Sequence, residues 1–152
     1  MKTLFGTLAA LVLLCSPTLA RVGETRAEVG ARYGDGKKSN DRLKADGVET
    51  WKYNKNGFDI EVVFAGDKSV WEIIHRQDKK ITDEDIESLL KLYDTSAATN
   101  WRFDKKDNRW ERASKPKLIA YRWPKHPDFF CIKDIEACEK LEKGKKADAS
   151  GL

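Results

Sequence analysis

Two hydrophobic periods divide the chain. Thr25 and Glu28 form a capping box, Val29 and Tyr33 share one helical face and Gly34 supplies a stop, so the first predicted element is a short helix. Strand spacing follows. Trp51 and Tyr53 alternate, Asn54 to Gly57 turn the chain, and Phe58, Ile60, Val62 and Phe64 fall on one side of a second strand. Gly66-Asp67 makes another turn, and Val70 to His75 reads as a third antiparallel strand, giving a meander for the first helix to cover.

The helical period then returns. Ile81 and Ile86 can staple across a cap at Thr82, Asp83, Glu84 and Asp85 suit the positive end of a helix, and Ile86, Leu89, Leu90 and Tyr93 form an apolar stripe. Beyond a polar connector, Trp101 and Phe103 alternate, Asp104 to Asn108 turn, and Trp110 begins a returning strand. Further strands are predicted at Leu118 to Trp123 and Phe129 to Ile132, and the Ile135, Cys138 and Leu141 spacing predicts a short closing helix. The expected fold class is α+β, with helices packed on one face of an antiparallel sheet and a meander followed by a helix and a second strand set.

The first twenty residues, Met1 to Ala20, read as an export signal: Lys2, an apolar run from Leu4 to Leu14, the breaker Ser16-Pro17, and Thr18-Leu19-Ala20 before a cleavage point at Arg21. The run is shorter than the roughly 20 residues a membrane span needs. Bulky Leu14 before Cys15 argues against a lipoprotein. Export leaves about 130 residues, enough to bury roughly two-thirds of the unfolded surface around one core. The expected organisation is a signal peptide over 1–20, a single α+β domain over 21–142 and a disordered basic tail over 143–152. The location is the periplasm or the extracellular space.

Charge changes this picture little. The formal net charge is +4 with acids and bases interleaved, which describes a solvated surface, and only Lys140 to Lys146 gathers cations, so no nucleic-acid partner is expected. The two cysteines left after cleavage, Cys131 and Cys138, are predicted to form a disulfide pinning the terminal segment. The alternative is the start of a metal site, but it needs two more ligands, and His75 and His126 lie in unlike contexts. No metal or cofactor is expected. The connector from Asp35 to Asp46 reads as a solvated loop, its length leaving a binding role open.

Candidate chemistry is sparse. The trio Asp83, Glu84 and Asp85 could supply paired carboxylates, yet carboxylates are what a helix N-terminus favours in any case. His75 and His126 could act as base and acid of a small secreted hydrolase, with Lys125 or Arg76 holding a phosphate. Five tryptophans, Trp51, Trp71, Trp101, Trp110 and Trp123, invite a glycan- or partner-binding surface. Most serve packing in strands, and Trp101 and Trp110, flanking one turn, are the predicted exposed pair. No nucleophile elbow, phosphate loop, zinc-protease motif or haem-attachment motif occurs.

The run from Gly23 to Ile74, with Gly23-Glu24-Thr25, Val29, Tyr33-Gly34, Trp51-Lys52-Tyr53, Gly57, Ile60, Val62, Phe64, Val70 and Ile73, resembles the SmpA/OmlA (BamE-like) family. Related helix-plus-sheet modules occur in beta-lactamase inhibitory proteins. The resemblance covers about a third of the chain and implies a helix packed on an antiparallel sheet whose exposed face and loops contact other proteins. The expectation is therefore an exported, non-catalytic binding module contacting an envelope or secreted macromolecule. The hydrolase and a glycan-binding module using Trp101 and Trp110 are the alternatives.

Overall fold

The computed structural model describes residues 21–39, 47–94 and 100–150, with side chains to 143. The segment predicted as an export signal, most of the polar connector after residue 39 and the last two residues lie outside the described residues.

Helix α1 (Arg26–Tyr33) starts where Thr25 accepts the Glu28 N–H at 3.2 Å while its own N–H donates to the Glu28 carboxylate at 2.7 Å, and it stops at Gly34, whose φ of 89° suits glycine. Four strands follow: β1 (Lys37–Ser39), β2 (Val48–Lys55), β3 (Phe58–Ala65) and β4 (Lys68–Arg76). Between β2 and β3 the turn residues Asn56 and Gly57 both take positive φ, 52° and 78°, which matches the twist of the flanking strands. Helix α2 (Asp83–Leu92) repeats the cap with Thr82 and Asp85. Four more strands, β5 (Trp101–Asp104), β6 (Arg109–Arg112), β7 (Leu118–Trp123) and β8 (His126–Asp134), lead into α3 (Ile135–Ser150).

All eight strands join one antiparallel sheet in the order β1-β2-β3-β4-β8-β7-β6-β5. A capped helix followed by four strands thus occurs twice. The halves meet at β4 and β8, which pair antiparallel, so the strand order of one half mirrors that of the other. Both first helices lie on one side: Val29 and Tyr33 of α1 and Ile86, Leu89 and Leu90 of α2 pack in one core with Ile60, Val62, Ile74, Leu118, Phe130 and Ile132.

The expected α+β class is corrected here. Strand residues dominate, and the meander and later strands form one continuous sheet with three short helices rather than two strand sets under a helical layer. The helices do not share one face either. Cys138 and Leu141 of α3 border a small cavity with Val48, Val63, Val70 and Trp71, on the side opposite α1 and α2. The physical reason lies in the two central strands. Ile73 and Ile74 are both buried, as are Phe130, Cys131 and Ile132, so β4 and β8 need cover on both faces. The backbone of α3 continues to Ser150, where the sequence predicted a disordered tail from 143.

Candidate functional site

Alternation along the paired strands sorts side chains into two faces. Trp51, Val62, Glu72, Ile132, Ala120, Trp110 and Phe103 are successive cross-strand neighbours on the inner face, beneath α1 and α2. Their chain neighbours form the outer face. Where β3 and β4 change register, Val63 and Phe64 pair with Trp71 and Ser69, so Val70 is an extra residue; this bulge lets Val70 border the cavity beneath α3 beside Trp71.

Among the described side chains, those of α3 border the Val48, Val63 and Val70 end of the outer face and reach Trp71 and Lys133. From Trp71 at that margin runs a chain of rings: Trp71 to Trp123 at 5.8 Å, Trp123 to Phe129 at 6.5 Å, and His75 stacked on Phe129 at 4.7 Å. His126 meets the same Phe129 edge-on at 5.9 Å. Trp71, His75, Trp123 and Phe129 are half-buried and His126 is exposed, whereas Ile73 and Cys131, between the rows that carry these rings, are fully covered. The Trp71 indole N–H is buried and has no hydrogen-bond partner among the described residues. A shallow depression of about 410 Å³, lined by Tyr121, Trp123, Pro124, Pro127 and Arg109, adjoins the ring group. Lys133 lies 5.7 Å from the Tyr121 ring centre, adding a cation to the same surface.

The predicted site residues are placed differently from expectation. Trp101 and Trp110 share the inner face and pack against the core; the Trp101 indole donates to the Leu90 carbonyl at 3.0 Å, and Trp110 meets Phe130 edge-on at 5.8 Å. They form no open pair. His75 and His126 are brought to one ring although 51 positions apart, but Arg76 points to the other face, where it pairs with Asp85 at 2.8 Å and Asp78 at 3.3 Å. Lys125 is exposed in the turn between β7 and β8. The acidic trio does helix work: Asp85 completes the cap, and Asp83 takes the Arg122 guanidinium at 2.5 Å.

Cys131 and Cys138 are not bridged in the structure, where the sequence predicted a disulfide. Cys131 is buried in β8 and Cys138 directs its sulfur toward the Val70 carbonyl at 3.7 Å. Burial pushes the Cys138 thiol up to about 11 and raises the nearby Tyr121 hydroxyl further. Among the described residues, no three His, Cys, Asp or Glu side chains gather closely enough to hold a metal, and no helix is long and apolar enough to cross a membrane.

Sequence reasoning named Trp71 and Trp123 among the five tryptophans without choosing them for the exposed pair, and placed Phe129 only in a strand. Their alternation with covered neighbours was visible, but which face α3 would leave open was not. It also passed over Glu72, the fully buried acid of the inner face, whose burial pushes its carboxyl up to about 7 against hydrogen bonds from Tyr93 and Tyr33.

No family model matches this chain, and no curated protein does. Among solved structures it is similar to a cysteine-rich secretory protein from Staphylococcus aureus subsp. aureus Mu50, at 11% identity and a TM-score of 0.38, over 76% of this chain and 45% of that one. The chain thus spans less than half of that protein, and so low a score carries no argument about fold or function.

Proposed function

We propose that this chain is an exported, non-catalytic binding module that contacts an envelope or secreted macromolecule through the part of its outer sheet face that α3 leaves open. The observation that carries this reading is the ring group Trp71, Trp123, Phe129, His75 and His126, laid side by side on the outer face, with Trp71 at the margin of α3 and the other four rings outside the cavity that α3 borders. Rigid aromatic side chains of this kind supply contact area at low entropic cost and are enriched at binding hot spots. The test is cross-linking capture from envelope and culture fractions with the wild type, a Trp123→Ala/Phe129→Ala variant, and Lys38→Glu at the far sheet edge as control. A species captured by wild type and control, and lost in the ring variant at unchanged circular dichroism, supports the reading. Equal capture by all three overturns it.

One observation favours a second reading: both imidazoles rest against Phe129, as a histidine-dependent hydrolase would need of its acid and base. Hydrolysis of a phosphate or glycosidic substrate that His75→Ala/His126→Ala abolishes, with the fold intact, would replace the non-catalytic reading.

A further inference from the structure

We propose that two copies of this chain join edge to edge through β5, antiparallel and centred on Phe103, to make one continuous sheet. The two outermost strands differ in a way that points to this pairing. At one edge, β1 has three residues, two of them lysines, and self-pairing about Lys38 would set like charges opposite each other. At the other edge, β5 pairs only with β6 among the described residues, leaving its second row of backbone N–H and C=O groups open.

The side chains of β5 are self-complementary. Antiparallel pairing about Phe103 places Arg102 opposite the partner's Asp104 and Asp104 opposite the partner's Arg102, on the outer face. Within one copy the cross-strand neighbour of Arg102 is Glu111, and that of Asp104 is Arg109. Across the joint the outer rows therefore run Glu111, Arg102, the partner's Asp104, the partner's Arg109, and the same in reverse, with signs alternating at every step. Arg102 is exposed and forms no ion pair among the described residues, since Glu111 is already taken by Arg109 at 2.6 Å.

The inner row agrees. Phe103 is 42% exposed and is the one large apolar side chain left so open among the described residues. Its ring is 4.9 Å from Trp110, and pairing would lay it against the partner's Phe103, extending the aromatic row across the two-fold axis. A two-fold axis between the two β5 strands makes each contact off the axis occur twice, so a single weak charge pair is doubled. The pairing uses neither α3 nor the ring group, so each dimer would present that group twice.

Sedimentation velocity over a concentration series is the test. The expected result is a reversible monomer–dimer equilibrium weakened by high salt. Arg102→Asp, which sets two acids face to face at both symmetric positions, lowers the association constant about tenfold. Arg102→Asp/Asp104→Arg, which exchanges the signs across the joint, recovers association relative to Arg102→Asp, short of the wild type because each new charge then faces its like in β6, Glu111 or Arg109, within its own copy. A separate check survives any folding defect in those variants: Phe103→Cys, with the cysteine on the axis, oxidises to a covalent dimer, whereas Lys38→Cys does not. A wild type that stays monomeric to its solubility limit, a dimer indifferent to Arg102→Asp, or a Phe103→Cys chain that does not cross-link in preference to Lys38→Cys overturns the proposal.

Discussion

Tyr33 in the last turn of α1 and Tyr93 at the end of α2 donate their hydroxyls to the same carboxylate oxygen of Glu72, which no solvent reaches. Each half of the molecule thus ties its helix to the sheet through one buried acid of β4. The other carboxylate oxygen has no partner, so ionisation leaves a charge only half satisfied.

A pH dependence of stability follows. The Glu72 carboxyl titrates near 7 in the folded protein against 4.5 for the free side chain. Between those values the folded state binds more protons than the unfolded one, so stability falls as pH rises from about 4.5 to about 7 and is flat with respect to this group above and below. The full difference is on the order of 3 kcal/mol. Urea unfolding at pH 5 and pH 8 should show the wild type less stable at pH 8 by up to that amount. Glu72→Gln, which keeps the shape without the charge, should lose most of that slope. A slope unchanged in Glu72→Gln would assign the effect elsewhere.

The same geometry ranks the two tyrosines. Tyr93 is fully buried and holds the acid more closely than Tyr33, whose hydroxyl is 3.3 Å away. Tyr93→Phe should cost about 1 to 3 kcal/mol, Tyr33→Phe less, and both more at pH 8 than at pH 5, because the lost donor matters most to the ionised acid. Chemical denaturation of both variants at the two pH values checks the ranking.

What was legible in the sequence was local. Thr25 with Glu28, the Thr82 cap, the stop at Gly34 and the Asn56-Gly57 turn were legible because a cap or a tight turn is set by residues a few positions apart. The pairing of Glu72 with Ile132 joins residues 60 positions apart, and nothing local encodes it. Two-fold alternation said which residues share a face, not which face would be covered, and β3 and β4 bury apolar side chains on both. That is why Trp101 and Trp110 were expected in the open and Trp71 and Trp123 were not singled out. The repeated arrangement left a trace that could have been used: Thr25 and Thr82 each open a capped helix, and Tyr33 closes the first while Tyr93 caps the second.

The placement of the tryptophans separates stability from binding. Trp101→Ala removes a ring packed against the core, takes the indole donor from the Leu90 carbonyl, which keeps only the Tyr93 N–H at 3.1 Å among the described residues, and strips Arg112 of the ring 5.8 Å from its guanidinium, so a loss of about 3 kcal/mol is expected. Trp123→Ala truncates a half-buried ring on the outer face and should cost less than half of that. Thermal melts of the two variants decide it: an equal loss would mean that the outer ring group is held as tightly as the core.

The two thiols give the last test. Cys131 is completely buried and the Cys138 thiol, pushed up to about 11, is almost entirely protonated at pH 8, so neither is a competent nucleophile in the folded state. A thiol-specific chromogenic reagent should therefore label the folded protein slowly and should find both cysteines once denaturant is added, in material purified without reductant. Cys131→Ser would bury a hydroxyl in place of the sulfur beside Tyr121 and should lower the melting temperature, whereas Cys138→Ser, on the partly open surface of α3, should change it little. Recovery of no thiol from the denatured chain would mean instead that the two sulfurs are bridged in the purified protein, with α3 drawn toward β8. The two serine variants would then lower stability together rather than separately.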